Sequence, residues 1–301
     1  MVQFRAEPGP SDSITDIEGL SIGSAHNATV RTGVTVIIPD APVAMGVDVR
    51  GGGPGTRDTD ALDPTCMVEK VHGLVLSGGS VFGLAAADGV TCALSARGIG
   101  LPISPHAVPV VPSAILFDLA NGGDKNWGDT PPYRSLGIEA AENVGQPVVS
   151  GKYGAGFGAT AGARDGGLGS ASLSLPDGTI VAALVAVNSF GNVVTAKEPE
   201  YGVVDLPKLG FAGGNTTIAA VATNVSLDKA GCKRLALMAQ DGFARALRPI
   251  HTPFDGDTVF ALSTGAHAPD LDKGVAMAVL GTLAADCITR AIEKAVAAAN
   301  A

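Results

Sequence analysis

Gly213-Gly214-Asn215-Thr216-Thr217 leads straight into the apolar run Ile218-Ala219-Ala220-Val221-Ala222. Two glycines thus deliver an Asn-Thr peptide bond to the start of what reads as a strand. A threonine hydroxyl at that place can attack the carbonyl before it and cut its own chain between Asn215 and Thr216. The new N-terminal Thr216 would carry nucleophile and base together, because its free amine can accept the hydroxyl proton. The chemistry indicated is self-processing followed by attack on amide bonds. The same residues also fit a plain loop entering a strand, since Gly and Asn suit turns for conformational reasons alone.

Three neighbours bear on the choice. Thr195 to Gly214 is polar, contains Pro199 and Pro207, and reads as an exposed connection, where a cut frees an end without unravelling a core. Asn188 closes the apolar run Ile180 to Val187, and an amide there can donate to a developing oxyanion. It can equally cap the turn Asn188-Ser189-Phe190-Gly191. Asp255-Gly256-Asp257 precedes the run Thr258 to Leu262. Carboxylates flanking a small residue can orient a hydroxyl and an ammonium, and can equally form an Asp-Gly turn.

Other motifs fail on context. Gly19-Leu20-Ser21-Ile22-Gly23 has the spacing of a nucleophile elbow, yet no sheet precedes it and no histidine follows at a triad position. Gly154-Ala155-Gly156-Phe157-Gly158 lacks dinucleotide spacing, and no Walker lysine follows any glycine loop. His26, His72, His106, His251 and His267 are dispersed, which suits structural or surface roles.

Positioning such residues requires strands and helices in clusters. Val34 to Ile38 reads as a strand ending in a Pro-Asp turn, with Val43 to Val47 as its expected partner. Arg50 to Arg57 is glycine-rich loop, and Gly73 to Leu76 a short buried strand. Val81 to about Arg97 has helical spacing, with Ser80 as expected N-cap, and Ser135 to Val144 suggests another helix. From Gly154 to Val194, glycines punctuate short apolar runs as in antiparallel sheet. Thr216 to Asn224 reads as a strand. Ser226 and Asp228 open a helix to Leu247, Thr258 to Leu262 is a strand, and Leu271 to Ala299 is a long amphipathic helix. This grouping predicts a layered α/β sandwich rather than a regularly alternating parallel sheet.

The chain has 301 residues, 46% hydrophobic and only 16% charged, with 41 glycines and 4% aromatics. We expect one domain over residues 1–301, its core packed from small aliphatic residues. The net charge of −9 offers no basic stripe for nucleic acid. The apolar stretches carry Gly or charge too often to suggest a membrane span, and no secretory leader is evident, so a cytoplasmic protein is expected. Cys66, Cys92, Cys232 and Cys287 lack metal-ligand spacing and are expected to be reduced and buried. Neither metal nor organic cofactor is expected.

Six ordered segments resemble peptidase family S58, the family of L-aminopeptidase/D-amidase-esterases, β-peptidyl aminopeptidases and nylon-oligomer hydrolases. They are Ile14-Thr-Asp-Ile-Glu-Gly-Leu-Ser-Ile-Gly23, Leu76-Ser-Gly-Gly-Ser-Val-Phe-Gly-Leu-Ala-Ala-Ala-Asp-Gly89, Val111-Pro-Ser-Ala-Ile-Leu-Phe-Asp118, Gly154-Ala-Gly-Phe-Gly-Ala159, Gly214-Asn-Thr-Thr-Ile218 and His251-Thr-Pro-Phe-Asp-Gly-Asp-Thr-Val-Phe-Ala-Leu262. The resemblance implies a four-layer αββα sandwich like that of N-terminal-nucleophile hydrolases. It implies autocleavage into an α chain of residues 1–215 and a β chain of residues 216–301, and a homotetramer of processed units acting on small peptides, amides, esters or 6-aminohexanoate oligomers. By matching motif, Thr216 becomes the nucleophile, Asn188 the oxyanion donor, and Asp255 and Asp257 the groups orienting nucleophile and amine. Paired aspartates look like the nylon-oligomer branch, where the aminopeptidase branch carries Ser and Glu. Phe117 stands where some relatives have tyrosine, and Ala163, with Arg164 beside it, where nylon-oligomer relatives have lysine; both are substrate-side positions by resemblance. Two other readings remain open: an acyltransferase of the ornithine acetyltransferase type, and a non-catalytic ligand-binding module of the same fold.

Overall fold

The computed structural model describes residues 3–194, 202–204, 206 and 214–301. Gly213 and most of the expected connection over 195–214 lie outside the described residues. In chain order the strands of the two main sheets are β1 (Glu7–Pro8), β2 (Leu20–Asn27), β3 (Thr32–Pro39), β4 (Ala44–Val49), β5 (Thr56–Arg57) and β6 (Leu74–Ser77), followed by β7 (Ser113–Ile115), β8 (Gly167–Ser174), β9 (Ile180–Asn188), β10 (Thr216–Val225) and β11 (Thr258–His267). The α-helices are α1 (Ala85–Ala96), α2 (Tyr133–Glu142), α3 (Lys229–Ala246) and α4 (Lys273–Ala299).

A six-stranded sheet has the order β1-β8-β9-β10-β11-β4, and a five-stranded sheet the order β2-β3-β6-β7-β5. The sheets face one another. Helices α3 and α4 cover the outer face of the larger sheet, and α1 and α2 cover that of the smaller, giving an αββα sandwich.

Central strands buried on both faces must be apolar at every position rather than at alternate ones. β9 shows this: Val181, Ala183, Val185 and Val187 join the helix-side core, while Ala182, Leu184 and Ala186 join the core between the sheets. β10 divides likewise, with Ala219 and Val221 outward and Ile218, Ala220 and Ala222 inward. Thr216 shares the parity of the inward set. β10 and β11 are parallel, joined through α3, whose N-cap Asp228 accepts a hydrogen bond from Gly231 N.

Several expectations are corrected. Val43 to Val47 does not pair with Val34 to Ile38: β4 joins β11 in the other sheet, and β3 lies between β2 and β6. Ser80 caps nothing. It has φ 52° and begins a 3₁₀ turn (Ser80–Leu84) that precedes α1. Cys92 is exposed and Cys66 half-buried, although Cys232 and Cys287 are core residues, and all four are free thiols. α4 is long and apolar enough to cross a membrane by length and composition, contrary to expectation. Its apolar side, including Leu280, Ile288, Ile292 and Val296, is instead packed into the helix-side core. Ser21, of the elbow-like spacing that fails on context, lies inside β2 rather than at a strand-to-helix turn.

Candidate active site

The site forms where the N-terminal end of β10 meets the C-terminal end of β9. Register places Asn188 opposite Thr216 as the last pair of the β9/β10 ladder. On the other side of β10, Asn215 forms a parallel bridge with Asp255, which extends the β10/β11 pairing beyond the named strands. Residues far apart in the chain, Asn188, Asn215, Thr216, Asp255 and Asp257, thus become neighbours, and all are buried.

The Thr216 hydroxyl donates to the carbonyl oxygen of Asn215, the acyl half of its own preceding peptide bond. That oxygen also accepts the Gly256 N–H at 3.0 Å, while Asn215 N donates to Phe254 O at 3.2 Å. Asn215 is therefore held through both of its backbone groups by the 254–256 loop, and the Asn215–Thr216 peptide through its carbonyl oxygen.

Two carboxylates stand beside it, each satisfied by three donors. Asp255 accepts from Phe190 N at 3.1 Å, Thr252 N at 3.0 Å and Thr252 Oγ1 at 2.6 Å. Asp257 accepts from Thr217 N at 2.8 Å and His251 N at 3.0 Å, and its Oδ2 lies 2.9 Å from His251 Nδ1. Burial lifts the Asp255 carboxyl above the usual range, and the neighbouring Asp257 charge adds to the effect; the donors pull the other way. Neither carboxylate hydrogen-bonds the Thr216 hydroxyl among the described residues. Their observed contacts fix the loop and the Thr217 end of the strand.

Asn188 does not cap the turn that follows it. Its Oδ1 accepts Thr160 N at 2.9 Å and its Nδ2 donates to Phe117 O at 2.9 Å, while Ser189 Oγ closes the turn onto Gly191 O at 2.7 Å. An amide carries two N–H bonds, so one donor of Asn188 has no partner among the described residues. Phe117 contributes its backbone carbonyl here. Arg164 lies on the small ribbon Thr160–Ala161/Arg164–Asp165 with its side chain exposed.

Sequence reasoning passed over three participants. His251 is one of five histidines dispersed along the sequence, yet it sits on Asp257, a contact hinted at only by the six-residue spacing within His251-Thr-Pro-Phe-Asp-Gly-Asp257. Thr252 holds Asp255, and the Gly256 amide, invisible to any side-chain motif, holds the Asn215 carbonyl. Asp118, next to Phe117, is a further buried acid: its Oδ1 accepts Gly79 N at 2.8 Å, Oδ2 has no well-formed hydrogen bond among the described residues, and burial raises the carboxyl to about 6.

Known proteins resemble this chain in both sequence and fold. The sequence profile of Peptidase family S58 matches residues 12–301. An uncharacterised aminopeptidase of Mycobacterium leprae is 41% identical over 332 residues, covering 97% of this chain and 91% of the relative. A 6-aminohexanoate-oligomer endohydrolase of Paenarthrobacter ureafaciens is 31% identical over 275 residues, covering 83% of this chain and 74% of the relative. Among solved structures, a Burkholderia β-aminopeptidase superposes with a TM-score of 0.73 at 22% identity, covering 98% of this chain and 90% of the other. The L-aminopeptidase D-Ala-esterase/amidase of Ochrobactrum anthropi, described as a variant of the Ntn hydrolase fold, gives 0.70 at 22% identity, covering 99% and 89%. With the profile spanning nearly its whole length, the chain belongs to peptidase family S58 and is an amide-bond hydrolase.

Proposed function

We propose that Thr216 is the nucleophile of a self-processing hydrolase. It first cuts the Asn215–Thr216 bond, and its freed amine and hydroxyl then open the amide bonds of small substrates. The observation that carries this reading is the Thr216 hydroxyl resting on the Asn215 carbonyl, whose oxygen already accepts an N–H. In the processed form the Thr216 amine takes the hydroxyl proton as the oxygen attacks the substrate carbonyl. The remaining N–H of Asn188 donates to the tetrahedral oxyanion, an effect of about 3 kcal/mol for a well-aimed donor. Asp255 and Asp257 keep the strand end and its new ammonium in register. Water then resolves the acyl-threonine.

The aminopeptidase relatives and the paired aspartates support substrates with a free amino end, and the oligomer endohydrolase relative supports amide bonds within short oligomers. The substrates are small peptides, amino-acid amides or esters, and 6-aminohexanoate oligomers. The same reading assigns a cytoplasmic homotetramer of processed units, which light scattering would register as four times the mass of the chain. Intact-mass measurement of fresh and aged protein tests the central claim. We expect fragments beginning at Met1 and Thr216 in the wild type, and one inactive chain for Thr216→Ala. A Thr216→Ala protein with wild-type turnover on p-nitroanilides and aminohexanoate oligomers would remove Thr216 from the chemistry.

A further inference from the structure

Self-cleavage needs a donor for the oxygen of the bond being cut, and among the described residues the Asn188 side chain makes no hydrogen bond to it. The side-chain bonds of Asn188 go to Thr160 and Phe117. The Asn215 oxygen instead accepts the Gly256 N–H at 3.0 Å, with Asn215 N anchored to Phe254 O. Gly256 sits between two carboxylates whose own hydrogen bonds immobilise it, so this amide is aimed before any reaction begins. The position also admits no side chain: a Cβ on Gly256 would stand 2.7 Å from Thr216 Oγ1 and 2.8 Å from Gly53 O.

We propose that the Gly256 backbone N–H is the oxyanion donor of the self-cleavage step, and that Asn188 is not required for it. The chain thus divides transition-state stabilisation between two donors, one for maturation and one for turnover. This inference rests on Thr216 being the nucleophile. In the step, Thr216 Oγ bonds to the carbonyl carbon of Asn215, and negative charge gathers on the oxygen that faces Gly256 N. The C–N bond to Thr216 then breaks, the hydroxyl proton ends on the Thr216 nitrogen, and an ester is left. Water hydrolyses that ester to the Asn215 carboxylate and a free threonine, releasing one proton. A fixed N–H facing the developing charge stabilises it without reorganisation.

The test replaces residue 256 by glycolic acid through nonsense suppression, which turns the amide into an ester, removes the N–H and weakens the Asp255 carbonyl as acceptor for Gly53 N. Scission is followed by intact mass beside the wild type and Asn188→Ala. Loss of one oxyanion donor should slow scission by about 10²–10³-fold. Asn188→Ala should mature at close to the wild-type rate yet lose kcat on a p-nitroanilide. A backbone ester that cleaves as fast as wild type overturns the inference and leaves the Thr216 reading standing, whereas a wild-type chain that never cleaves at 215/216 overturns both. A folded Asn188→Ala protein that stays uncut also overturns it. Should the ester variant fail to fold, amide exchange in Thr216→Ala decides: Gly256 should be protected like a β10 ladder amide, and exchange at an open-loop rate sinks the proposal.

Discussion

Asp118 shows what one buried acid does to the molecule at the scale of the residue. Burial raises its carboxyl to about 6, while an ordinary aspartate in the unfolded chain titrates near 3.8. The folded state therefore binds this proton more tightly than the unfolded state. Its stabilising contribution is complete below about pH 4 and is lost as the pH rises through about 6. A gap of about two pH units corresponds to about 3 kcal/mol. Asp118→Asn retains an acceptor for the Gly79 N–H but has no charge to bury. We expect the variant to be more stable than wild type at pH 7.5, by up to about 3 kcal/mol, with the advantage shrinking toward pH 4. Chemical denaturation at several pH values gives the difference, and curves that run parallel from pH 4 to pH 7 would falsify it. Asp255, whose carboxyl is also raised, is common to both proteins and cancels in the comparison.

At the scale of elements, close approach of backbone explains why the chain uses so much glycine and alanine. α4 lies so near β8 that a Cβ on Gly169 would stand 2.1 Å from the carbonyl oxygen of Ala291. Neither a helix carbonyl nor a central strand can yield alone, so Gly169→Ala must push the two apart. Overpacking of this kind costs about 1–3 kcal/mol, and the urea midpoint should fall accordingly; an unchanged midpoint would mean that α4 adjusts freely. Much of this layer was legible beforehand. An uninterrupted apolar run such as Ile180 to Val187 signals a strand covered on both faces, and the amphipathic stretch before Ala299 signals a helix on a sheet. Partner choice was not legible. The alternation in Val43 to Val47 fixes which side chains share a face but not which sheet the strand joins, so proximity in sequence suggested β3 and tertiary packing selected β11. The site was legible as residue types and not as contacts. Asn188 and Thr216 meet only through strand register, His251 reaches Asp257 only through the fold of its loop, and the Gly256 amide leaves no side-chain signature.

For the whole molecule, the proposed cut after Asn215 would leave two pieces that packing alone must hold together. The segment after Asn215 has 86 residues, 301 less 215, and supplies β10, β11, α3 and α4. It does not lie at an edge. β10 pairs with β9 and β11 pairs with β4, both from the first segment, so the second segment fills the middle of the six-stranded sheet. Ile218, Phe260 and Leu262 share the inter-sheet core with Leu184, while Val221, Ile288 and Ile292 share the helix-side core with Val185. Six such side chains at about 1.5–3 kcal/mol each give about 9–18 kcal/mol, comparable with the roughly 4–15 kcal/mol cost of associating two chains. The backbone ladders on both flanks and the remaining core add to this. A processed molecule should therefore elute as one species from a native size-exclusion column and melt in one cooperative transition. Its two pieces should part only in denaturant. Elution of the 86-residue piece by itself under native conditions would show that the flanking ladders and shared cores do not bind the halves.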